Sequence, residues 1–247
     1  TTIPYRRGNI VDAKGTRLAT SEKVYNLVID AKVMTYKEEY LEPTLKALDE
    51  NFDLDISAIR AYVINNKTSS WYVPLKQLTY EQISGFQEAQ NEDPKINGVW
   101  FEEEYKRIYP YGSLAADVIG FSGMDNEGSY GLEEYYNDTL NGINGREYGY
   151  LNDDLALERT VKAAVDGYDI HSTIDANLQM IVEKYLKQFN EEQANAFTPG
   201  NGAENVGCII MEVDTGEVLA MASLPGYDLN NVRDASRLLG TKLLEEV

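Results

Sequence analysis

Along the chain, apolar residues recur at two kinds of spacing, and the mixture predicts an α+β protein. Apolar side chains at three- and four-residue steps over 40–52, 56–64 and 178–189 predict amphipathic helices, because such steps fall on one face of a helix. Thr79 is followed three residues later by Gln82, which predicts a capping box and therefore the start of a further helix.

Strand patterns stand on both sides of the first helical region. Residues 6–30 predict two short strands around a turn at Asp12–Gly15, in which Gly15 supplies the positive φ that such turns often require. Strand character returns at 98–109 and stops at Pro110, which has no backbone N–H to give to a sheet. The helical residues in between are therefore expected to form a small α+β lobe inserted into another unit, with the bracketing strands paired to each other.

The last apolar runs predict a β-hairpin. Val206–Val213 and Val218–Leu224 flank the turn Asp-Thr-Gly at 214–216, and both runs are apolar enough to predict heavily buried strands. A hairpin of this kind normally opens a sheet, yet few residues follow it. The sequence therefore raises the question of which sheet the hairpin belongs to.

Composition is typical of a globular protein and excludes some partners. Hydrophobic residues make up 43% of the chain and charged residues 26%, as in a folded domain. The formal net charge is −19, from 41 acidic and 22 basic residues, and so negative a surface repels nucleic acids and anionic lipids. No apolar run is long enough to span a bilayer, and the first residue is Thr1 rather than Met. We expect a processed or trimmed piece of a longer protein.

Neither a metal nor an organic cofactor is expected. The single cysteine, Cys208, cannot form an internal disulfide and lies in an apolar strand, where we expect a small buried hydrophobic residue. The single histidine, His171, is expected to be a partly exposed strand residue, and no Cys/His cluster has zinc spacing. The glycines do not complete a phosphate-binding Gly-x-Gly-x-x-Gly motif between a strand and a helix.

Five motifs occur along the chain in a fixed order. They are RGNIVDAKGTRLA at 7–19, RIYPYGSLAADVIGF at 107–121, GSYGLEEYYNDTLNGINGR at 128–146, STIDANLQ at 172–179 and IIMEVDTGEVLAMASLPGYDLNN at 209–231. Their order and wording resemble the class B penicillin-binding proteins. The resemblance covers nearly the whole chain except the inserted lobe, which corresponds to the variable head of that family.

The resemblance implies the N-terminal part of a membrane-anchored bacterial enzyme of peptidoglycan synthesis, on the extracytoplasmic side of the membrane. Residues 1–34 and 101–165 would form a non-catalytic pedestal of the dimerisation type, 35–100 its head lobe, and 166–247 the truncated start of a transpeptidase domain with a β-lactamase-like fold. The hairpin would then belong to a sheet completed much further along the parent chain. The implied role is to position the catalytic domain and to bind other cell-envelope assembly proteins, with homodimer formation left open.

The serine chemistry that the resemblance implies for the parent is expected to be absent here. The family uses a Ser-x-x-Lys motif, in which a lysine one helical turn after the serine can take the hydroxyl proton. No serine of this chain has a lysine three residues later, and Ser21, with Lys23 two residues on, comes nearest. β-Lactam and peptidoglycan peptide would therefore bind only to the missing catalytic portion, and no residue of this chain is expected to be catalytic.

Glu133 of the Gly-Leu-Glu motif is expected to make a structural contact rather than to act as a catalytic carboxylate. An ion pair with a basic residue of the neighbouring motifs, with Arg7 and Arg107 as candidates, would fix how the pedestal meets the first strands. The other residues expected to form turns, caps or close contacts between elements are Gly8, Asp12, Gly15, Pro110, Gly131, Gly145 and Asp175.

One position departs from the family pattern. The residue after Asp12 is usually arginine in the family, and here it is Ala13. If that arginine normally pairs with an acidic residue, the contact is either missing or supplied by Lys14 or Arg17. The stretch GYDIHSTIDANLQ predicts a strand followed by a long helix, and that helix is expected to be capped by Thr173 or Asp175.

A free-standing interaction or dimerisation module without a catalytic domain is the alternative interpretation. The edges of the hairpin distinguish the two interpretations. In a finished module, other elements of the chain cover these edges. In a truncated enzyme those edges are open, swapped with a neighbour, or disordered. A third interpretation, a hydrolase that uses paired carboxylates, is supported by no motif in the sequence.

Overall fold

The computed structural model describes residues 2–123, 126–151, 157–196, 199–200 and 202–233, and within them the protein has the predicted α+β architecture. The strands are, in chain order, β1 (Thr2–Ile3), β2 (Ile10–Val11), β3 (Arg17–Ile29), β4 (Tyr72–Leu78), β5 (Val99–Ile108), β6 (Phe121–Ser122), β7 (Gly128–Ser129), β8 (Gly145–Leu151), β9 (Leu157–Lys162), β10 (Ile170–His171), β11 (Val206–Met211) and β12 (Val218–Leu224). The helices are α1 (Ala31–Met34), α2 (Glu38–Asn51), α3 (Ile56–Asn65), α4 (Tyr80–Glu92), α5 (Ala116–Ile119), α6 (Gly131–Tyr135), α7 (Asn137–Leu140) and α8 (Ala176–Glu192).

Contacts divide the chain into two units. One consists of Thr1–Ser21 and Arg107–Val247, and the other is Glu22–Lys106. The chain passes between the units once inside β3 and again inside β5, so Glu22–Lys106 is an insertion in the sequence of the first unit. We call Glu22–Lys106 the inserted unit. It contains all of the predicted head lobe, 35–100, whereas the assignment of the remaining residues to a pedestal and a third domain stays a prediction.

The inserted unit is a sheet with helices on one face. β3 is the central strand and pairs with both β4 and β5, which confirms that the strands bracketing the lobe pair with each other. The core between sheet and helices is apolar, and its buried members include Leu27, Leu48 and Phe86. Thr79 and Gln82 form the predicted capping box at the start of α4, and each side chain accepts the backbone N–H of the other residue.

The first unit contains several small sheets in the residues that the structure describes. β10 pairs in parallel with β2, and β2 pairs antiparallel with β3 around the predicted turn, where Gly15 has a φ of 87°. β1, β8 and β9 form a second sheet, while β6–β7 and β11–β12 are two-stranded. A buried cluster that includes Ile10, Leu114 and Leu140 joins the N-terminal strands to the short helices.

The β11–β12 hairpin exists as predicted, but its predicted heavy burial is wrong. Cys208 and Ile210 pack towards Val182 of α8, whereas the alternate side chains Ile209 and Met211 are exposed. One face of this two-stranded sheet therefore packs on a helix and the other faces solvent. Cys208 is accordingly half-buried rather than buried, since a continuous apolar run does not show which of its faces is covered.

Candidate functional site

A buried ionic cluster is centred on Glu133, in the short helix α6. The Glu133 side chain is completely buried and lies between two arginines that come from distant parts of the chain. Its Oε2 accepts from Arg7 Nε at 2.8 Å and lies 2.7 Å from Arg7 Nη2, and its Oε1 accepts from Arg107 Nε at 2.8 Å. Both candidate partners of Glu133 therefore contact it, and one carboxylate ties together the N-terminal segment, the end of β5 and α6.

Arg7 is completely buried as well, and its guanidinium meets acceptors on every side. Nη2 donates to the Glu133 carbonyl at 2.9 Å, and Nη1 donates to the side-chain oxygens of Asn137 and Asn141 at 2.9 and 2.7 Å. Nη1 also donates to the carbonyl of Asn126 at 2.9 Å. A buried charge is tolerated when it is paired and hydrogen-bonded in this way. Sequence reasoning missed the two asparagines, whose only signal is their four-residue spacing on a helical stretch.

Arg107 joins the ionic cluster to the start of the chain. Its Nη1 donates to the Gly8 carbonyl at 2.6 Å and to Ser21 Oγ at 3.1 Å, and Ser21 Oγ in turn donates to the Arg7 carbonyl at 3.1 Å. Within the described residues, Arg107 Nη2 is a buried donor without a hydrogen-bond partner. Its other terminal nitrogen, Nη1, holds the cluster in place through one backbone acceptor, the Gly8 carbonyl, and one side-chain acceptor, Ser21 Oγ.

Tyr109 completes the cluster and was also missed from sequence. Its hydroxyl donates to Glu133 Oε1 at 3.1 Å and accepts the backbone N–H of Ser122 at 2.8 Å. Burial and the negative charge of Glu133 raise the pKa of Tyr109 well above its ordinary value, so the hydroxyl remains a donor. Pro110 follows directly, two residues beyond the end of β5, and it is exposed and lies outside the cluster.

Several glycines permit close packing of backbone in the first unit, and one of them lies beside Glu133. A Cβ atom at Gly128 would lie 1.9 Å from the Glu133 carbonyl oxygen, and one at Gly8 would lie 1.9 Å from the Tyr168 carbonyl oxygen. No side chain fits at such a distance, so these positions require glycine. The predicted positions Gly131 and Gly145 also lie too close to backbone for a side chain, with a Cβ placed 2.3 Å from the Val118 carbonyl oxygen and 2.4 Å from that of Lys162.

A second polar site lies where the N-terminal turn meets the start of α8. The buried carboxylate of Asp12 accepts backbone N–H groups through both oxygens: Oδ1 from Lys14 at 2.9 Å and Thr16 at 2.7 Å, and Oδ2 from Ala176 at 3.1 Å. Burial alone would raise the pKa of Asp12, but these N–H groups together hold it below its ordinary value. Asp12 therefore stays charged and links the β2–β3 turn to the first residue of α8.

Asp175 caps α8 and pairs with the N-terminal turn. Its Oδ1 accepts the N–H groups of Asn177 and Leu178 at 2.9 and 3.2 Å, so the cap is Asp175 rather than Thr173. Its Oδ2 accepts from Lys14 Nζ at 2.7 Å, and this hydrogen bond, with the cap bonds, lowers the pKa of Asp175. Lys14 thus forms an ion pair from this turn, one residue after Ala13, which stands where the family usually has arginine.

Gln179 fastens the hairpin to α8 and was not found from sequence. Its buried amide makes both main-chain hydrogen bonds of Met221: Nε2 donates to the Met221 carbonyl at 2.8 Å, and Oε1 accepts the Met221 N–H at 2.8 Å. The amide thus takes the place of a neighbouring strand on the outer edge of β12. The signal in the sequence is a glutamine three residues before Val182, on the apolar side of the helix.

The face of α8 beside β11 is apolar and open. A groove of about 450 Å³ lies there, and Ile181, Tyr185 and Phe189 on its helix side are about half exposed. The hairpin has two strands in the described part of the chain, and no third strand pairs with β11 there. Among the residues that the structure describes, none covers the β11 edge as a further strand, and the apolar side chains of the helix face stay half exposed.

The remaining sequence candidates lie away from both polar sites. His171 is exposed in β10, as predicted, and Gly15 occupies the tip of the β2–β3 turn. Among the described residues no group of three His, Cys, Asp or Glu side chains could hold a metal ion. In both polar sites the charged groups pair with each other or with backbone, and so they join segments that are distant in the sequence.

Comparison with known families and curated proteins gives one consistent result. The family model described as the penicillin-binding protein dimerisation domain matches residues 2–172. The peptidoglycan D,D-transpeptidase FtsI of Buchnera aphidicola subsp. Baizongia pistaciae is 30% identical over 234 residues, which are 92% of this chain and 38% of FtsI. The probable peptidoglycan D,D-transpeptidase PenA of Neisseria meningitidis is 31% identical over 239 residues, 93% of this chain and 38% of PenA. The chain thus spans 38% of the length of these relatives.

Solved structures with the same fold cover nearly all of the chain. Penicillin-binding protein 2X of Streptococcus thermophilus has a TM-score of 0.75 at 23% identity, covering 96% of this chain and 37% of that protein. PBP2 of Helicobacter pylori, solved in complex with MreC, has a TM-score of 0.62 at 20% identity, covering 94% of this chain and 43% of that protein. At these identities the likeness concerns the fold. In the described ranges, none of the helices combines the length and the apolar character needed to cross a bilayer.

Proposed function

The chain belongs to the penicillin-binding protein dimerisation domain family, and we propose that it is the non-catalytic N-terminal portion of a peptidoglycan D,D-transpeptidase of bacterial cell-wall synthesis. Its role is to position the catalytic domain and to bind proteins of the cell envelope. Relatives named as D,D-transpeptidases support the proposal, as does the absence of a Ser-x-x-Lys sequence in this chain.

The observation that carries the proposal is the link between Asp12 and the start of α8. A buried carboxylate that accepts the first N–H of a helix restrains the position of the helix start, because breaking the bond would leave a buried donor unpaired. The Lys14–Asp175 pair adds a second link across the same joint. Since Gln179 holds the hairpin on α8, the N-terminal turn positions the helix and hairpin together.

The open apolar groove beside α8 favours this role over a free-standing module. Half-exposed Ile181, Tyr185 and Phe189 lie together on one face of α8 and line the groove, and a contiguous exposed apolar face of this kind often marks a surface that another segment covers. In the proposed parent, residues 166–247 begin the transpeptidase domain, and later segments of that domain cover the groove and extend the sheet from β11. The residues before them form the pedestal, with 35–100 as its head.

The same role places the parent at the outer face of a bacterial cell membrane, where peptidoglycan is cross-linked. Partners of the pedestal and head are other envelope assembly proteins, in line with the neighbouring structure of PBP2 bound to MreC. The family description also supports a homodimer through the pedestal. β-Lactam and stem peptide bind only to the catalytic portion.

A fluorescent penicillin tests the non-catalytic role. The 247-residue chain should give no covalently labelled band under conditions in which a full-length class B penicillin-binding protein, used as positive control, labels strongly. A penicillin that acylates a serine of this chain would show that the nucleophile is present, and the proposal would then be wrong.

Hydrogen exchange tests the positioning role. In the longer parent protein, amides of α8 from Ile181 to Phe189 should exchange more slowly than in the isolated chain, because the rest of the catalytic domain covers them. Amides around the Glu133 cluster should exchange equally in the two proteins and serve as the internal control. Equal exchange of the α8 amides in both proteins would contradict the proposal.

A further inference from the structure

The inserted unit has a sheet face that its helices do not cover. Val99 and Phe101 of β5 contact the apolar core, so Trp100 between them projects from the opposite face. The next residues on that side of β5 are Glu102 and Glu104. We call the surface formed by Trp71, Trp100, Glu102, Glu104 and Asn26 the tryptophan face.

Both tryptophans of the chain lie on the tryptophan face, and both are exposed. Trp71 exposes 59% of its surface and Trp100 exposes 37%, although tryptophan is highly buried in most proteins. Val28 of β3 is fully buried without belonging to the core cluster, as expected if side chains on the outer side cover it. Exposed tryptophans of this kind are the residues that most often dominate protein–protein binding energy.

Hydrogen bonds hold the polar side chains of this face in fixed positions. Trp71 Nε1 donates to Glu102 Oε1 at 3.2 Å, which orients the indole ring against β5. Asn26 accepts the backbone N–H of Gln77 at 3.0 Å and donates to Glu104. The face is therefore ordered before any partner arrives, and preorganised side chains lose little entropy on binding.

Indole rings beside carboxylates favour the binding of cationic groups. A guanidinium or ammonium group is attracted to the face of an indole ring and forms charge-assisted hydrogen bonds with a carboxylate. We propose that the tryptophan face binds a basic segment of a partner protein, in which arginine or lysine residues alternate with apolar ones. The cations pair with Glu102 and Glu104 and contact the adjoining indole rings, and the apolar residues pack on the remaining surface of Trp71 and Trp100.

Charge distinguishes this partner from a membrane. Exposed tryptophans also occur at lipid interfaces, but the formal net charge of −19 opposes approach to anionic lipids, whereas it attracts a cationic segment. Lys106 is the next residue on the same side of β5, so the acidic part of the row is limited to two carboxylates. We therefore expect a short basic segment rather than a long polycation.

Intrinsic fluorescence gives a readout confined to this face, because the chain has no other tryptophan. The probe is a short peptide of alternating arginine and leucine, titrated into the full 247-residue chain at physiological salt. Binding should change the tryptophan emission and reduce its quenching by acrylamide. A peptide of alternating glutamate and leucine should leave both unchanged.

Variants separate the tryptophan face from the general negative charge. With a fluorescein-labelled peptide, Trp71→Ala combined with Trp100→Ala should raise the Kd by about tenfold. Tyr80→Ala, which removes an aromatic side chain that is 63% exposed elsewhere on the inserted unit, should leave it within about twofold. Glu102→Gln keeps an acceptor for Trp71 but removes the charge and should weaken binding, whereas Glu81→Gln in α4 should not.

Three results would overturn the proposal. The first is no binding of the basic peptide, and the second is binding that leaves tryptophan emission unchanged, which would place the peptide elsewhere. The third is a change in emission with vesicles of phosphatidylglycerol and phosphatidylethanolamine but not with the peptide, which would identify the face as a membrane contact. The double variant must first give the circular dichroism spectrum of the parent chain, and Glu102→Gln provides a second test if it does not.

This proposal rests on the proposed role of the chain in binding envelope proteins. The two can fail separately. A failed titration would leave the penicillin experiment and the positioning role untouched. Covalent labelling by penicillin would overturn the non-catalytic assignment without changing what the tryptophan face binds.

Discussion

Arg7 and Glu133 lie 126 residues apart in the sequence and form an ion pair at 2.7 Å in which both side chains are completely buried. Burying two charges is unfavourable unless each finds enough partners. Here Arg107 and Tyr109 supply further donors to Glu133, and two asparagines accept from Arg7. The pair is thus part of a network, and its members depend on one another.

Glu133→Ala should destabilise the protein strongly, because it leaves two buried guanidinium groups without their carboxylate. Breaking a buried ion pair from one side costs about 3–5 kcal/mol. For a protein of this size the loss corresponds to a fall of roughly 6–20 °C in Tm. Differential scanning calorimetry at neutral pH measures it.

Asp138→Ala is the matched control for Glu133→Ala, since it removes a carboxylate from an exposed position only five residues away. Exposed surface substitutions usually change stability by about 0.5 kcal/mol or less. Equal values of Tm for Glu133→Ala and Asp138→Ala would show that the cluster contributes no more than surface charge.

Gly128→Ala should also destabilise the protein, although it leaves every charge in place. The new methyl group would lie 1.9 Å from the Glu133 carbonyl oxygen, so the backbone of α6 must move. Overpacking of this kind costs about 1–3 kcal/mol. Gly123→Ala is the control, because its methyl group would meet its nearest neighbour, the Glu127 carbonyl oxygen, at an ordinary 3.7 Å. Thermal unfolding of both variants gives the comparison, and equal stability would contradict the packing described around Glu133.

Asp12→Asn should change how stability depends on pH. The folded state holds the pKa of Asp12 below its ordinary value of 3.8, so its charge stabilises the fold above that pH. This contribution is lost as the pH falls from about 3.8 through the lower pKa of the folded state. Tm measured from neutral pH down to pH ~2 should therefore show a gap between parent and variant that narrows only in acid.

The size of that gap follows from the hydrogen bonds of Asp12. Bonds to a charged acceptor contribute about 1.5–3 kcal/mol each, and the asparagine keeps only some of them. Asp138→Asn, which changes an exposed carboxylate, is the control and should alter Tm only slightly at neutral pH. A gap for Asp12→Asn that stays constant from neutral pH to strong acid would mean that the Asp12 charge is not stabilised in the folded state.

Gln179→Leu should loosen the hairpin without unfolding the rest of the chain. Leucine fills similar space but leaves the N–H and the carbonyl of Met221 without partners, each at about 1–3 kcal/mol if buried. A loss of about 1.4 kcal/mol speeds amide exchange about tenfold, so Met221 should exchange at least that much faster. Gln188→Leu, on the exposed side of α8, is the control. Unchanged exchange at Met221 would show that the amide of Gln179 does not hold β12.

Much of the fold follows from local patterns. The apolar spacing of α2, α3 and α8, the Thr79–Gln82 capping box and the turn at Gly15 are each fixed by residues close in sequence. Arg7 and Arg107 could be named as partners of Glu133 because all three residues belong to motifs of a known family. A family resemblance carries information about contacts between distant residues, whereas apolar spacing does not. The roles of these residues in the whole protein stay predictions.

Other features needed the structure, because they depend on which surfaces meet. An apolar run such as Val206–Met211 looks the same whether one face or both faces are covered, and here one face is exposed. In the sequence, Gln179 is an ordinary polar residue of a helix. Its role depends on β12, which the fold brings next to α8. Asn137 and Asn141 acquire their role only when Arg7, from the other end of the chain, reaches them.

The inserted unit leaves and rejoins the chain at neighbouring points, since Ser21 Oγ accepts a hydrogen bond from Arg107 Nη1 at 3.1 Å. Bridging two ends that already touch requires little loop-closure entropy, whatever the length of the loop removed. Glu22–Lys106 can therefore be shortened, enlarged or exchanged for another module in evolution without opening a gap between Ser21 and Arg107, and the Glu133 contacts made by Arg7 and Arg107 do not depend on it.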